Sequence, residues 1–90
     1  MNNNVSLKGY LDENGKFERL PGKRQKKRLD EMLRILSLKF HKGKKYSESE
    51  VNEILNQQHS FNDPATLRRL LYGINILDRT IDGRWYWLKT

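Results

Sequence analysis

The stretch from Asp63 to Trp87, DPATLRRLLYGINILDRTIDGRWYW, leaves this chain few folds to choose from. Asp63 is a strong helix N-cap, and Pro64 takes the first helical position, where its missing N–H costs nothing. Leu67, Leu70, Leu71 and Ile74 recur at helical spacing and predict a buried face. Ala65, Arg69 and Tyr72 fall on the opposite side, flanked by Thr66 and Arg68. Directly behind this helix, ILDRTIDGRWYWLK reads as strand, Asp82-Gly83 turn and strand. Trp85 and Trp87 share one face of the last strand and Tyr86 takes the other, so one face is core and the other is open to further packing.

The residues ahead of this unit supply two more helices. Ser47-x-x-Glu50 is a capping box, followed by Val51, Ile54 and Leu55 on one side, which predicts a helix ending near Gln57 or Gln58. The link that follows brings Phe61 toward the core. Farther upstream, Leu29, Met32, Leu33, Leu36 and Phe40 form one amphipathic stripe, predicting a helix from Arg24 to Phe40 with Gly43 near its end. Leu38 lies about opposite that stripe and is expected to meet the N-terminal segment or a second subunit. At the start of the chain, Leu7, Tyr10 and Leu11 precede Asn14-Gly15, and Phe17 and Leu20 follow it. This predicts a short hairpin or an extended arm, closed by Pro21-Gly22. Residues 1–4 are expected to be a disordered start, and residues 5–90 one domain.

Charge is distributed unevenly. Residues 16–45 hold twelve Lys/Arg and three acids, a net of +9, while the rest holds six Lys/Arg and eight acids, a net of −2. The densest part is KRQKKR, residues 23–28, at the start of the first helix, where cations oppose the helix dipole and so do not serve its stability. A concentrated cationic segment suits a polyanion. With no cysteine there is no disulfide framework or thiolate metal site. No apolar run approaches the roughly 18 residues of a membrane span, and the start lacks a signal-peptide pattern. The expectation is a soluble cytoplasmic protein with no membrane partner.

No catalytic constellation is present. His41 and His59 stand eighteen residues apart without metal-ligand spacing, and both are expected at the surface or at helix caps. Isolated turn glycines make no phosphate loop. The chain is therefore read as non-enzymatic, with no cofactor and no metal.

The sequence resembles a prokaryotic domain of unknown function found alone or fused behind the DNA-binding domain of bacterial transcriptional regulators. The resemblance rests on Tyr46-Ser47-Glu48 with Glu50-Val51-Asn52 and Leu55, on Asp63-x-Ala65-Thr66-Leu67-Arg68-Arg69, on Leu77-x-Arg79, and on Asp82-Gly83-x-x-Tyr86-Trp87. It extends upstream through Gly15-Lys16-Phe17 and Leu20-Pro21. The resemblance implies a winged-helix-like fold and a transcriptional context, and it lends no catalytic residues.

Together these readings predict an α+β, winged helix-turn-helix-like domain of three helices, with an N-terminal hairpin or arm and a C-terminal β-hairpin wing. DNA is the expected partner. In such motifs the second helix enters the major groove while basic residues elsewhere hold phosphates. Arg69 is placed to reach a guanine edge, Thr66 and Tyr72 to touch backbone or a thymine methyl, and Arg84 to act from the wing. Lys23, Arg24, Lys26, Lys27 and Arg28 are expected to hold phosphates. Arg68 is assigned either to DNA or to an ion pair with Glu50, Glu53 or Asp63, and Arg79 to a similar pair with an acid of the second or third helix. Two alternatives stand beside this: an interaction, dimerisation or sensor module marked by apolar surface at Leu38 or Trp85, and RNA binding through the basic segment.

Overall fold

The computed structural model describes residues 7–89, so the expected disordered start at residues 1–4 lies outside the described residues. The element order is α1 (Lys26–Ser37), β1 (Tyr46–Ser47), α2 (Glu48–Asn56), α3 (Pro64–Gly73), β2 (Leu77–Arg79) and β3 (Trp85–Leu88), with 3-10 turns at Lys8–Tyr10 and Lys23–Gln25. The domain is α+β: three helices and one antiparallel sheet of order β1-β3-β2. No helix among the described residues is long and apolar enough to cross a membrane.

The helix starts follow from local chemistry. At α2 both legs of the capping box form: Ser47 Oγ accepts from the Glu50 amide at 3.1 Å, and Glu50 Oε1 accepts from the Ser47 amide at 2.8 Å. At α3 the Asp63 carboxylate accepts from the Thr66 amide at 3.2 Å and from the Thr66 hydroxyl at 2.7 Å. By contrast α1 starts without a side-chain cap and with no acid in its first turn. It is also shorter than its apolar stripe, ending at Ser37; Phe40 reaches the core from the following turn, and Gly43 takes its positive φ of 77° in the loop beyond.

A single core joins the layers. Met32, Leu33 and Leu36 of α1, Val51 and Leu55 of α2, and Leu67 and Leu71 of α3 meet Tyr46, Leu77 and Tyr86 from the inner face of the sheet. Side chains of this size each contribute about 1.5–3 kcal/mol when fully withdrawn from water. Phe40 and Tyr46 pack edge to face, with ring centres 5.2 Å apart, and the Tyr46 hydroxyl accepts from the His41 amide at 2.8 Å. Ile74, predicted for the buried face of α3, is exposed instead, because α3 ends beside it and Asn75 turns the chain with a φ of 66°.

The strands differ from expectation in three places. Tyr46–Ser47 forms β1, pairing Tyr46 with Tyr86 and Ser47 with Trp85. The C-terminal hairpin does not close in two residues. Thr80 and Trp85 are the last bonded pair, the Asp82 carboxylate accepts from the Thr80 hydroxyl and the Arg84 amide, and Gly83 supplies a φ of +75°. The N-terminal hairpin is reduced to a single Leu11–Phe17 bridge around an Asp12–Gly15 turn. Phe17 then bonds to Gln58 and Ser60, so the arm fastens onto the α2–α3 link.

Of the two readings of His59, surface or helix cap, that link shows the cap. His59 is buried, and its Nε2 accepts from the Asp63 amide at 2.8 Å, which places the ring proton on Nδ1, 2.6 Å from the Leu55 carbonyl oxygen that accepts it. The imidazole ties the end of α2 to the start of α3, with Phe61 half-buried edge-on against it. His41 is exposed, as expected.

Candidate nucleic-acid interface

Helix α3 is flanked by two grooves. One lies between α3, the segment Leu20–Gly22 and the start of α1, and is lined by Lys23, Lys26, Thr66, Leu70 and Ile74 among others. The other, of about 430 Å³, lies between α3 and the β2–β3 turn. It is lined by Arg69 and Tyr72 of α3, by Arg79, Asp82 and Gly83, and by Arg68 and Glu48. The basic start of α1 and the β2–β3 turn thus stand on opposite sides of the same helix.

The ten residues expected at an interface do not share one surface. Arg69 and Tyr72 are exposed on α3, and among the described residues no carboxylate comes within ion-pairing distance of Arg69. Thr66 faces the α1 groove, and its hydroxyl already donates to Asp63. At α1, Lys23, Arg24 and Lys27 are exposed, Lys26 forms a solvated i,i+4 pair with Asp30 at 3.3 Å, and Arg28 donates to the Gln25 side chain. Arg84 is exposed at the β2–β3 turn, 3.7 Å from Asp82.

Arg68 resolves toward the ion pair, with a partner not foreseen. Its side chain, 11% exposed, bonds to Glu48 at 2.8 Å and to the Asn52 side-chain oxygen, and its guanidinium lies over the Tyr86 ring. It is committed to the joint between α2, α3 and the sheet. Arg79, expected to pair with an acid, instead lies over the Tyr72 ring, 4.9 Å from its centre. Reading Leu77-x-Arg79 at strand period places Arg79 on the inner face, opposite Tyr86 in register and at the end of β2 beside α3. That period was the available signal for its presence in the groove.

Among the described residues, three carboxylates sit below the usual range. At Asp63 the cause is the Thr66 hydroxyl and amide, with His59 and Arg69 adding to it. At Asp82 it is the Thr80 hydroxyl and Arg84 amide, and at Asp12 the Lys16 amide. The acids nearest the α3 surface are thus held as structural acceptors.

Residues 16–88 match the family described as uncharacterized protein conserved in bacteria, DUF2087. Neither a curated protein nor a solved structure matches the chain.

Proposed function

The chain belongs to this DUF2087 family, and from its own surface we propose that it is a small non-catalytic winged-helix protein that binds DNA in transcriptional regulation. The winged-helix reading is supported by the order α1–β1–α2–α3–β2–β3, with β1 adding to β3 beside a C-terminal hairpin. The family's context beside DNA-binding domains of regulators belongs to the same proposal.

The observation that carries the DNA reading is the placement of α3. Its exposed side presents Arg69, which among the described residues has no carboxylate partner at ion-pairing distance, and it lies between a basic helix start and a hairpin turn. Arg69 would donate two N–H groups from one edge of its guanidinium to guanine O6 and N7, which leaves its remaining N–H groups for a neighbouring phosphate. Tyr72 would contact the strand backbone. Lys23, Arg24 and Lys27 would hold phosphates on the α1 side and Arg84 on the hairpin side. Lys26 and Arg28 would join them, since an exposed pair such as Lys26–Asp30 is worth little and is readily exchanged for a phosphate. Arg68 and Thr66, used within the fold, are left out of the contact set.

The test is selection from a random duplex pool with the chain and with Arg69→Ala. The expected result is a changed sequence preference at one position, whereas Lys27→Gln weakens all sequences alike. An unchanged preference with Arg69→Ala would remove α3 as the reading helix.

A second reading, an interaction or dimerisation module, is favoured by Leu38 and Trp85, which are 78% and 44% exposed. Apolar side chains held in water suit a protein partner. Light scattering at twice the chain mass, lost in Trp85→Ser, would favour it. RNA would be served by the same cations, and a duplex RNA competitor separates that case.

A further inference from the structure

We propose that the groove between α3 and the β2–β3 turn is an oxyanion site for a phosphate group, with Arg79 and Arg69 as its guanidinium donors. The argument is one of charge left over. Of the groups lining the groove, Glu48 neutralises Arg68 at 2.8 Å. The other acid, Asp82, is engaged by the Thr80 hydroxyl, the Arg84 amide and, at 3.7 Å, the Arg84 side chain. Arg69 and Arg79 remain, and among the described residues neither has a carboxylate at ion-pairing distance. Arg69 acts on Asp63 only as a neighbouring charge. Two cations thus share one concave surface without a counter-charge of their own.

Arg79 is also held in place. Its guanidinium carbon lies over the Tyr72 ring, 4.9 Å from the centre, and its Nη1 comes within 3.1 Å of the position a Cβ on Gly83 would occupy. A side chain at Gly83 would be strained at its φ of +75° and would push the guanidinium aside by a few tenths of an ångström. A cation–π contact consumes no N–H hydrogen bond, which leaves guanidinium N–H groups for bidentate contact with phosphate oxygens. A guanidinium fixed by an aromatic ring and a glycine loses less freedom on meeting an anion than a loose lysine does.

The phosphate has two sources of the same chemistry, a strand of DNA or a free phosphate ester. The first rests on the DNA reading above; the second does not. The test uses the full chain with two probes, inorganic phosphate followed by NMR and a labelled random duplex followed by anisotropy against salt. Arg79→Gln and the exposed Arg69→Gln are compared after thermal melts establish that each is folded.

The expected result is saturable phosphate shifts at the Arg69 and Arg79 side chains and the Gly83 amide, lost in both variants. With duplex, each variant is expected to lower the log–log salt slope by about 1. Arg79→Lys is expected to restore the salt slope, which counts charge, but not the phosphate saturation, because an ammonium cannot both cover Tyr72 and offer two parallel N–H groups. Saturation by phosphate with an unchanged duplex slope supports the site and assigns it to a free phosphate ester. A shallower slope without phosphate saturation supports it and assigns it to the strand. Phosphate saturation without duplex binding keeps the site and removes the DNA reading. No saturation together with an unchanged slope overturns the site, and duplex binding would then persist without it.

Discussion

Around α2 and α3 most charges are answered from within the fold, whereas at the start of α1 most are left to solvent. Ser47 and Glu50 cap α2, Asp63 and Thr66 cap α3, and Glu48, Asn52 and Arg68 cross-link the two helices. Lys23, Arg24 and Lys27 stand exposed at an α1 start that has neither side-chain cap nor acid in its first turn. A segment optimised for stability would place acids there. The difference separates charges that hold the fold from charges available to a partner, and Arg69 and Arg79 belong with the second group although they sit on the first region's elements.

The comparison breaks most visibly at Arg68. Arg68→Ala is expected to cost about 2 kcal/mol, the scale of hydrogen bonds to a charged group, which denaturant unfolding checks. Ser47→Ala removes one leg of the α2 capping box and is expected to lower stability by about 1 kcal/mol in the same unfolding experiment.

Acid provides a smaller effect on the same region. Asp63 is held below its ordinary value of 3.8, so it contributes stability that is complete above that pH and lost as pH falls through the lower folded value. Asp63→Asn keeps an acceptor at the cap but does not titrate. Its stability is expected to fall less steeply below pH 4, with Asp12 and Asp82 still contributing a residual slope in the same direction. Equal acid slopes for the two chains would contradict this.

The smallest change in stability is expected at α1. Lys27→Gln should raise it by about 0.3 kcal/mol, since it removes a cation facing the helix dipole, while lowering the salt slope of duplex binding by about 1. A loss of stability there would place Lys27 with the charges that hold the fold.

What was legible in the sequence follows the same division. The starts of α2 and α3 could be read because a cap joins residues three apart, and such a pattern is complete in a single turn of chain. β1 could not, because two residues become a strand only when Tyr46 meets Tyr86, forty positions away. His59 carries its signal in its spacing, four residues from both Leu55 and Asp63, and only the turn between the helices makes that spacing useful. Helical period put Thr66 beside Arg69, yet α3 is narrow enough that neighbouring positions open onto different grooves. Arg79 was in view as an ion-pair partner, but its stacking on Tyr72 depends on how α3 lies against the hairpin.

The most direct measurement is the anisotropy of a labelled random-sequence duplex as the chain is added at increasing salt. The account predicts binding at low salt with a log–log slope corresponding to several neutralised phosphates, made shallower by about 1 for each of Lys23, Arg24 and Lys27 replaced by Gln. A folded chain that fails to bind duplex at low salt would contradict the account.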